Sequence, residues 1–108
     1  MKIDLTSPYA AESMKAMQAL LWVMDPELGI NIVDMGLIYG IDFSDASAVT
    51  VEMTLSSPYC PMGESITEAT KRALQQIFTD RQVTITLVWE PEWTPERISE
   101  EGKKQLEN

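Results

Sequence analysis

The chain has 108 residues, 44% of them apolar, with 17 acidic against 8 basic side chains and a formal net charge of −9. That length suits one core and one domain over residues 1–108, and no stretch approaches the roughly 18 consecutive apolar residues a membrane span needs. The negative field disfavours nucleic acid and anionic membranes as partners, while a single cysteine, Cys60, and the lack of any histidine exclude an internal disulfide and remove the commonest general base and metal ligand. The stretch Met1-Lys2-Ile3-Asp4-Leu5 has no apolar run of signal-peptide length, so a cytoplasmic location is expected.

Ser7 followed by Pro8 has the form of a helix cap and first helical residue, which starts a helix at Pro8. Met14, Met17, Leu21 and Met24 recur at helical spacing and predict its buried stripe, which ends where Asp25-Pro26 disfavours further helix. From Leu37 the period becomes two: Leu37, Tyr39, Ile41 and Phe43 share one face, with Ile38, Gly40 and Asp42 on the other. After the turn residues Ser44-Asp45-Ala46-Ser47, Val49, Val51, Met53 and Leu55 alternate with polar residues, so an antiparallel hairpin is expected. Ile66, Ala69, Ala73, Leu74 and Ile77 mark an amphipathic helix over about residues 62–78. A third strand follows, with Val83, Ile85, Leu87 and Trp89 on its apolar face. The helix between the second and third strands suits a right-handed parallel crossover, with an antiparallel order left open. Thr94-Pro95-Glu96 repeats the cap-then-proline signal and starts a last helix. The expected architecture is an α/β two-layer sandwich of order α-β-β-α-β, with a three-stranded mixed sheet, helices on one face and a short C-terminal helix.

Three segments could carry chemistry. Cys60 stands just before Pro61 between a strand end and a helix start, where unpaired helix N–H groups and the positive dipole end favour thiolate; nearby Glu64 opposes this. The residues alone leave two readings open, a reactive ligand or a buried small hydrophobe, with the second slightly ahead. One thiolate does not hold a metal-sulfur cluster, which takes about four ligands. Metal binding through Cys60 therefore requires a second copy, a partner or small thiols. Asp25, Glu27 and Asp34 lie in a segment whose spacing matches no calcium loop. Turn capping is the plainer role for each, with Gly29 and Gly36 supplying unusual backbone angles. Trp89 continues the apolar face and belongs in the core, whereas Trp93 either folds over the core's edge or anchors a partner. If the second and third strands are parallel, the Cys60 and Trp93 loops emerge at the same end of the sheet.

The run Asp25-Pro26-Glu27-Leu28-Gly29-Ile30-Asn31-Ile32-Val33-Asp34-Met35-Gly36-Leu37-Ile38-Tyr39, then Met53-Thr54-Leu55 followed by Cys60-Pro61, and Val88-Trp89-Glu90-Pro91 through Trp93-Thr94-Pro95 together resemble one family. It is that of the small metal-sulfur cluster assembly factors, which includes SufT, the PaaD proteins and the eukaryotic cytosolic iron-sulfur targeting factors. The resemblance implies a role in delivering or maturing iron-sulfur clusters, as a non-catalytic carrier or adaptor serving client apoproteins and the assembly machinery. It implies functional sites at Cys60 and Asp25, both candidate metal ligands, with Cys60 binding a cluster or iron transiently. A homodimer sharing the cluster is expected, and Asp25, Glu27, Asp34 and Trp93 would shape that end of the domain. Glu92 departs from the family, standing where relatives commonly carry a second proline. PaaD proteins carry a further cysteine-rich tail that this chain lacks, so a SufT-like role is preferred over that of an accessory to a multicomponent oxygenase. No P-loop motif is present, so a stand-alone domain is expected rather than an ATPase fusion. A protein-protein interaction module that binds no metal is the rival reading. A cysteine-nucleophile enzyme is disfavoured by the absence of a histidine base.

Overall fold

The computed structural model describes residues 8–26, 28–56 and 63–107. Helix α1, Ala10–Leu20, begins two residues after the position expected from Pro8. Pro8 and Tyr9 form a turn, and the Tyr9 carbonyl accepts from the Ser13 N–H at 2.9 Å to close the first helical turn. Ser7 lies outside the described residues. The buried face of α1 is not the methionine stripe. Ala16 and Leu20 are sealed and Val23 follows them inward, with Met17 and Ala19 packed against their edge, while Met14, Leu21 and Met24 are all exposed. Both stripes satisfy a helical period. The small Ala16 faces the core, where its single methyl lets the helix axis come close to its neighbours, Met17 packs at the edge, and Met14 and Met24 are left outside.

Met24 leaves the helix for a two-residue strand, β1, Met24–Asp25, which pairs antiparallel with β2, Ile30–Asn31. This small hairpin, absent from the sequence-based expectation, closes through Gly29, whose φ is +69° and whose N–H donates to the Asp25 carbonyl at 2.8 Å. Strands β3, Ile38–Asp42, and β4, Ala48–Met53, form the expected antiparallel hairpin. At its turn Asp45 Oδ1 accepts from both the N–H and the hydroxyl of Ser47, at 2.8 and 2.7 Å. Those bonds, the backbone one foremost, hold the Asp45 carboxyl below the usual carboxylate range.

Helix α2, Gly63–Ile77, leads to β5, Gln82–Leu87, which runs parallel to β4 in unbroken register from Ala48↔Gln82 to Met53↔Leu87. The sheet order is β3-β4-β5, so β4 is central. Val49, Val51, Met53 and Val83 from the sheet join Ala16 and Leu20 of α1 and Ile66 and Leu74 of α2 in one core. Glu52, Thr84 and Thr86 on the opposite face are exposed. Helices therefore cover one side of the sheet, as the strand alternation implies.

Two sequence expectations fail for a local reason. The β3–β4 pairing slips between Ile38↔Met53 and Gly40↔Glu52, a bulge at Tyr39. A bulge adds one residue and inverts the alternation across it. Ile38 is thus buried beside Met53 while Tyr39 leaves the core face, its hydroxyl donating to the Pro91 carbonyl at 2.7 Å under the Arg97 guanidinium, 5.0 Å from the ring centroid. The Thr94-Pro95 signal starts only a single 3-10 turn, Pro95–Arg97. Ile98 then plunges into the core in extended conformation, and helix α3, Glu100–Glu107, is capped by Ser99, whose Oγ accepts from the Gly102 N–H at 3.1 Å.

The other positive-φ residue, Gly36 at +79°, sits directly against Arg97: a Cβ there would collide with the Arg97 carbonyl oxygen and lie 2.9 Å from its Cβ. Nothing lies within 4 Å of the same position on Gly29. Gly29→Ala is expected to cost only the backbone strain of a left-handed residue, about 1 kcal/mol. Gly36→Ala adds displacement of the Arg97 backbone, for a total of about 3 kcal/mol. Urea unfolding midpoints of the two variants check the difference; equal losses would show that the Gly36–Arg97 contact is not tight in solution.

Candidate functional site

Parallel pairing places the C-terminal ends of β4 and β5 together. Beyond the strands, the Val88 N–H still donates to the Met53 carbonyl at 2.9 Å, and the Thr54 N–H donates to the Leu37 carbonyl at 2.8 Å. The exits of β4 and β5 and the approach to β3 therefore meet at one end of the sheet. Cys60 departs in sequence from Ser56 at that end and is followed by Gly63 at the start of α2, but Cys60 itself lies outside the described residues, as do Pro58, Pro61 and Met62. Leu55 is buried, and a Cβ on Gly63 would lie 2.7 Å from Leu55 Cδ1, so the first residue of α2 packs directly on the Leu55 side chain just past β4.

The acidic segment divides into different environments. Asp25, on β1, is only 1% exposed, between the buried Val23 and its pairing partner Ile30. Glu27 lies outside the described residues. Asp34 is the centre of a four-bond tie. Its Oδ2 accepts from Asn31 Nδ2 at 2.7 Å, its Oδ1 accepts from the Ser99 hydroxyl at 2.8 Å, and its N–H donates to Asn31 Oδ1 at 2.8 Å. Its carbonyl accepts from the Ser99 N–H at 2.7 Å. A carboxylate oxygen used this way on each side orients the chain between β2 and β3 and fastens α3 to it. Among the described residues no group of three or more histidine, cysteine, aspartate and glutamate side chains is placed to hold a metal ion.

Trp93 folds over the edge of the core, the first of the two placements open to it. Its Nε1 donates to the carbonyl of the buried Met35 at 2.7 Å, and its ring packs on the core residues. Trp89, expected inside, is 43% exposed. β5 ends at Leu87, itself exposed, two residues before Trp89. Trp22, to which the sequence drew no attention, is 87% exposed just after α1. It borders a groove of about 470 Å³ between the β1 turn and α2, which also includes Met24, Pro26, Ala69 and Arg72. Only its position immediately after a helical apolar stripe could have signalled it.

Against this geometry the comparisons are decisive. The sequence pattern of the iron-sulfur cluster assembly protein family matches residues 13–87. The chain belongs to this family. It is 42% identical over 84 residues to the Fe-S protein maturation auxiliary factor SufT of Staphylococcus aureus, covering 78% of this chain and 96% of that one. It is 37% identical over 90 residues to the Fe-S protein maturation auxiliary factor YitW of Bacillus subtilis, covering 83% and 88%. Among solved structures, a domain of unknown function from Bacillus anthracis superposes with a TM-score of 0.83 at 33% identity, over 90% of this chain and 92% of that one. A conserved hypothetical protein of Thermotoga maritima gives 0.74 at 33% identity over 97% of both. The fold is thus that of the family. The matched stretch ends with the last residue of β5, so Trp93 and Ser99, which tie the acidic segment down, lie beyond it.

Trp93→Phe keeps the ring contact but leaves the Met35 carbonyl unbonded and is expected to cost about 1–2 kcal/mol. Asp34→Ala releases Asn31 and Ser99 together and is expected to cost about 2–3 kcal/mol. Trp22→Ala is expected to stay within about 0.5 kcal/mol of wild type, as surface changes do. Thermal or urea unfolding of the three variants checks the ranking, and a Trp22 variant less stable than Trp93→Phe would contradict the assignment of core and surface.

Proposed function

We propose that this chain is a maturation factor for iron-sulfur proteins, a carrier or adaptor that passes an iron-sulfur cluster or iron to client apoproteins in the cytoplasm and turns over no substrate of its own. The observation that carries this reading is the identity with proteins named as Fe-S maturation auxiliary factors over 78% and 83% of the chain. The geometry supports it: Leu55 and Gly63, on either side of the Cys60 segment, pack against each other beyond the ends of β4 and β5. The cluster is cargo, bound transiently. Cys60 supplies one ligand per chain, and the rest come from a second copy in a homodimer, from the assembly machinery or from small thiols. Asp25, Glu27, Asp34 and Trp93 act by shaping this end of the domain, and Asp25 is the further candidate ligand for iron.

Anaerobic reconstitution with iron and sulfide, followed by absorbance and solution mass, tests the reading. Wild type is expected to gain visible absorbance as a dimer, and Cys60→Ser to stay colourless. If both stay colourless while wild type still supports maturation of a client, the cargo half is wrong and the chain acts through protein contacts alone. The 87% exposure of Trp22 favours that second reading as the runner-up.

A further inference from the structure

The two edges of the sheet are not alike. The β3 edge carries devices that discourage pairing: a bulge at Tyr39, the exposed charge of Asp42, and a side chain fastened to Pro91. The β5 edge, Gln82-Val83-Thr84-Ile85-Thr86-Leu87, has no charge, no proline and no bulge. The Gln82 N–H donates to the Ser47 carbonyl and the Val88 N–H to the Met53 carbonyl, so the even-numbered residues bond inward to β4. In a parallel strand the odd-numbered residues Val83, Ile85 and Leu87 then direct N–H and C=O outward. The chain covers the first of these itself: Gln75 Oε1 accepts from the Val83 N–H at 3.4 Å, while Gln75 Nε2 donates to the Phe78 and Arg81 carbonyls at 3.0 and 2.8 Å. Ile85 and Leu87 have no strand beside them among the described residues.

We propose that the β5 edge from Ile85 to Leu87 is a strand-addition site for an extended segment of a partner protein that alternates apolar residues with lysine or arginine. The backbone groups of a free edge are matched by another strand and by little else. The charge of the segment follows from its surroundings. Glu52 stands level with Thr86 on the exposed face, and Glu90 and Glu92 follow in the chain; Glu68 beside β5 adds little, being paired with Arg72 at 3.9 Å and sharing its groove with Lys71, but the whole molecule carries −9. Exposed Leu87 and Trp89 supply the apolar contact. A second copy fits less well. It brings two chains of the same charge together, and an antiparallel β5–β5 pair sends the two Ser56 ends in opposite directions, away from any shared cluster. A partner segment on this edge instead lies one strand removed from β4, reaching the same end of the sheet from which the Cys60 segment leaves. The proposal goes beyond the carrier reading and rests on it only for why a client should be held at that place.

Amide hydrogen exchange by NMR on the full chain tests it, with an acetylated peptide alternating valine and lysine as probe. Exchange at Ile85 and Leu87 is expected to slow about tenfold or more at saturation, with protection falling as salt rises. Replacing the peptide's lysines by glutamate, or methylating its backbone nitrogens on the bonding edge, is expected to abolish the effect. Thr86→Lys, an exposed position, is expected to weaken it while leaving iron-sulfide reconstitution as in wild type, so failure here is separable from failure of the cargo reading. Unchanged exchange at both amides overturns the proposal. So does equal protection by the methylated peptide, or protection without peptide that rises with protein concentration, which would assign the edge to a second copy.

Discussion

The in-register parallel pairing of β4 with β5 is the constraint on which the rest of the molecule depends. It needs a crossover, which α2 provides, and it sends both strand exits to one end of the sheet. That end receives the approach to β3 through the Thr54–Leu37 bond, so three chain segments converge there. The same pairing buries Val49, Val51 and Val83 under the helices and leaves β5 as an edge. Placement of the Cys60 flanks and openness of the β5 backbone are therefore two consequences of one topological choice.

The acidic segment serves this frame as structure first. Asp34 spends both carboxylate oxygens and both backbone groups on Asn31 and Ser99, and Gly36 allows the chain to pass against Arg97. Trp93 adds a bond from its indole to Met35. Three separate contacts thus clamp residues 34–36 to the C-terminal part of the chain. The clamp draws on residues beyond the family-matched stretch. The run from Asp25 to Gly36 is distinctive in sequence because several of its residues meet backbone and side-chain demands at once, with Gly29 and Gly36 at positive φ and Asn31 and Asp34 in reciprocal bonds.

Much of this was legible beforehand, and the failures have definite causes. Alternation located the three main strands, and the Asp45-Ser47 turn chemistry joined the first two. Helical spacing located α2, whose Ile66 and Leu74 are buried as expected although Ile77 is exposed. The parallel crossover and the positive φ of Gly29 and Gly36 also followed from local residues. The faces were less secure. One bulge at Tyr39 inverted half of β3, and α1 turned its alanine rather than its methionines inward, because packing rewards close approach as well as apolar bulk.

The amino-acid sequence by itself determined the order of the main elements and the β3–β4 hairpin, through local periodicity and turn chemistry, and the identity of Cys60 as the sole thiol, through composition, while the family showed in the resemblance of its motifs. Only the tertiary structure decided which residues clamp the site end and which stand exposed. Asp34 meets Ser99 across 65 residues and Trp93 meets Met35 across 58, separations at which no periodic signal survives. Trp89 stands 43% exposed past the end of β5 at Leu87, and where a strand ends relative to the layer above it is a property of how elements stack rather than of the strand's own alternation.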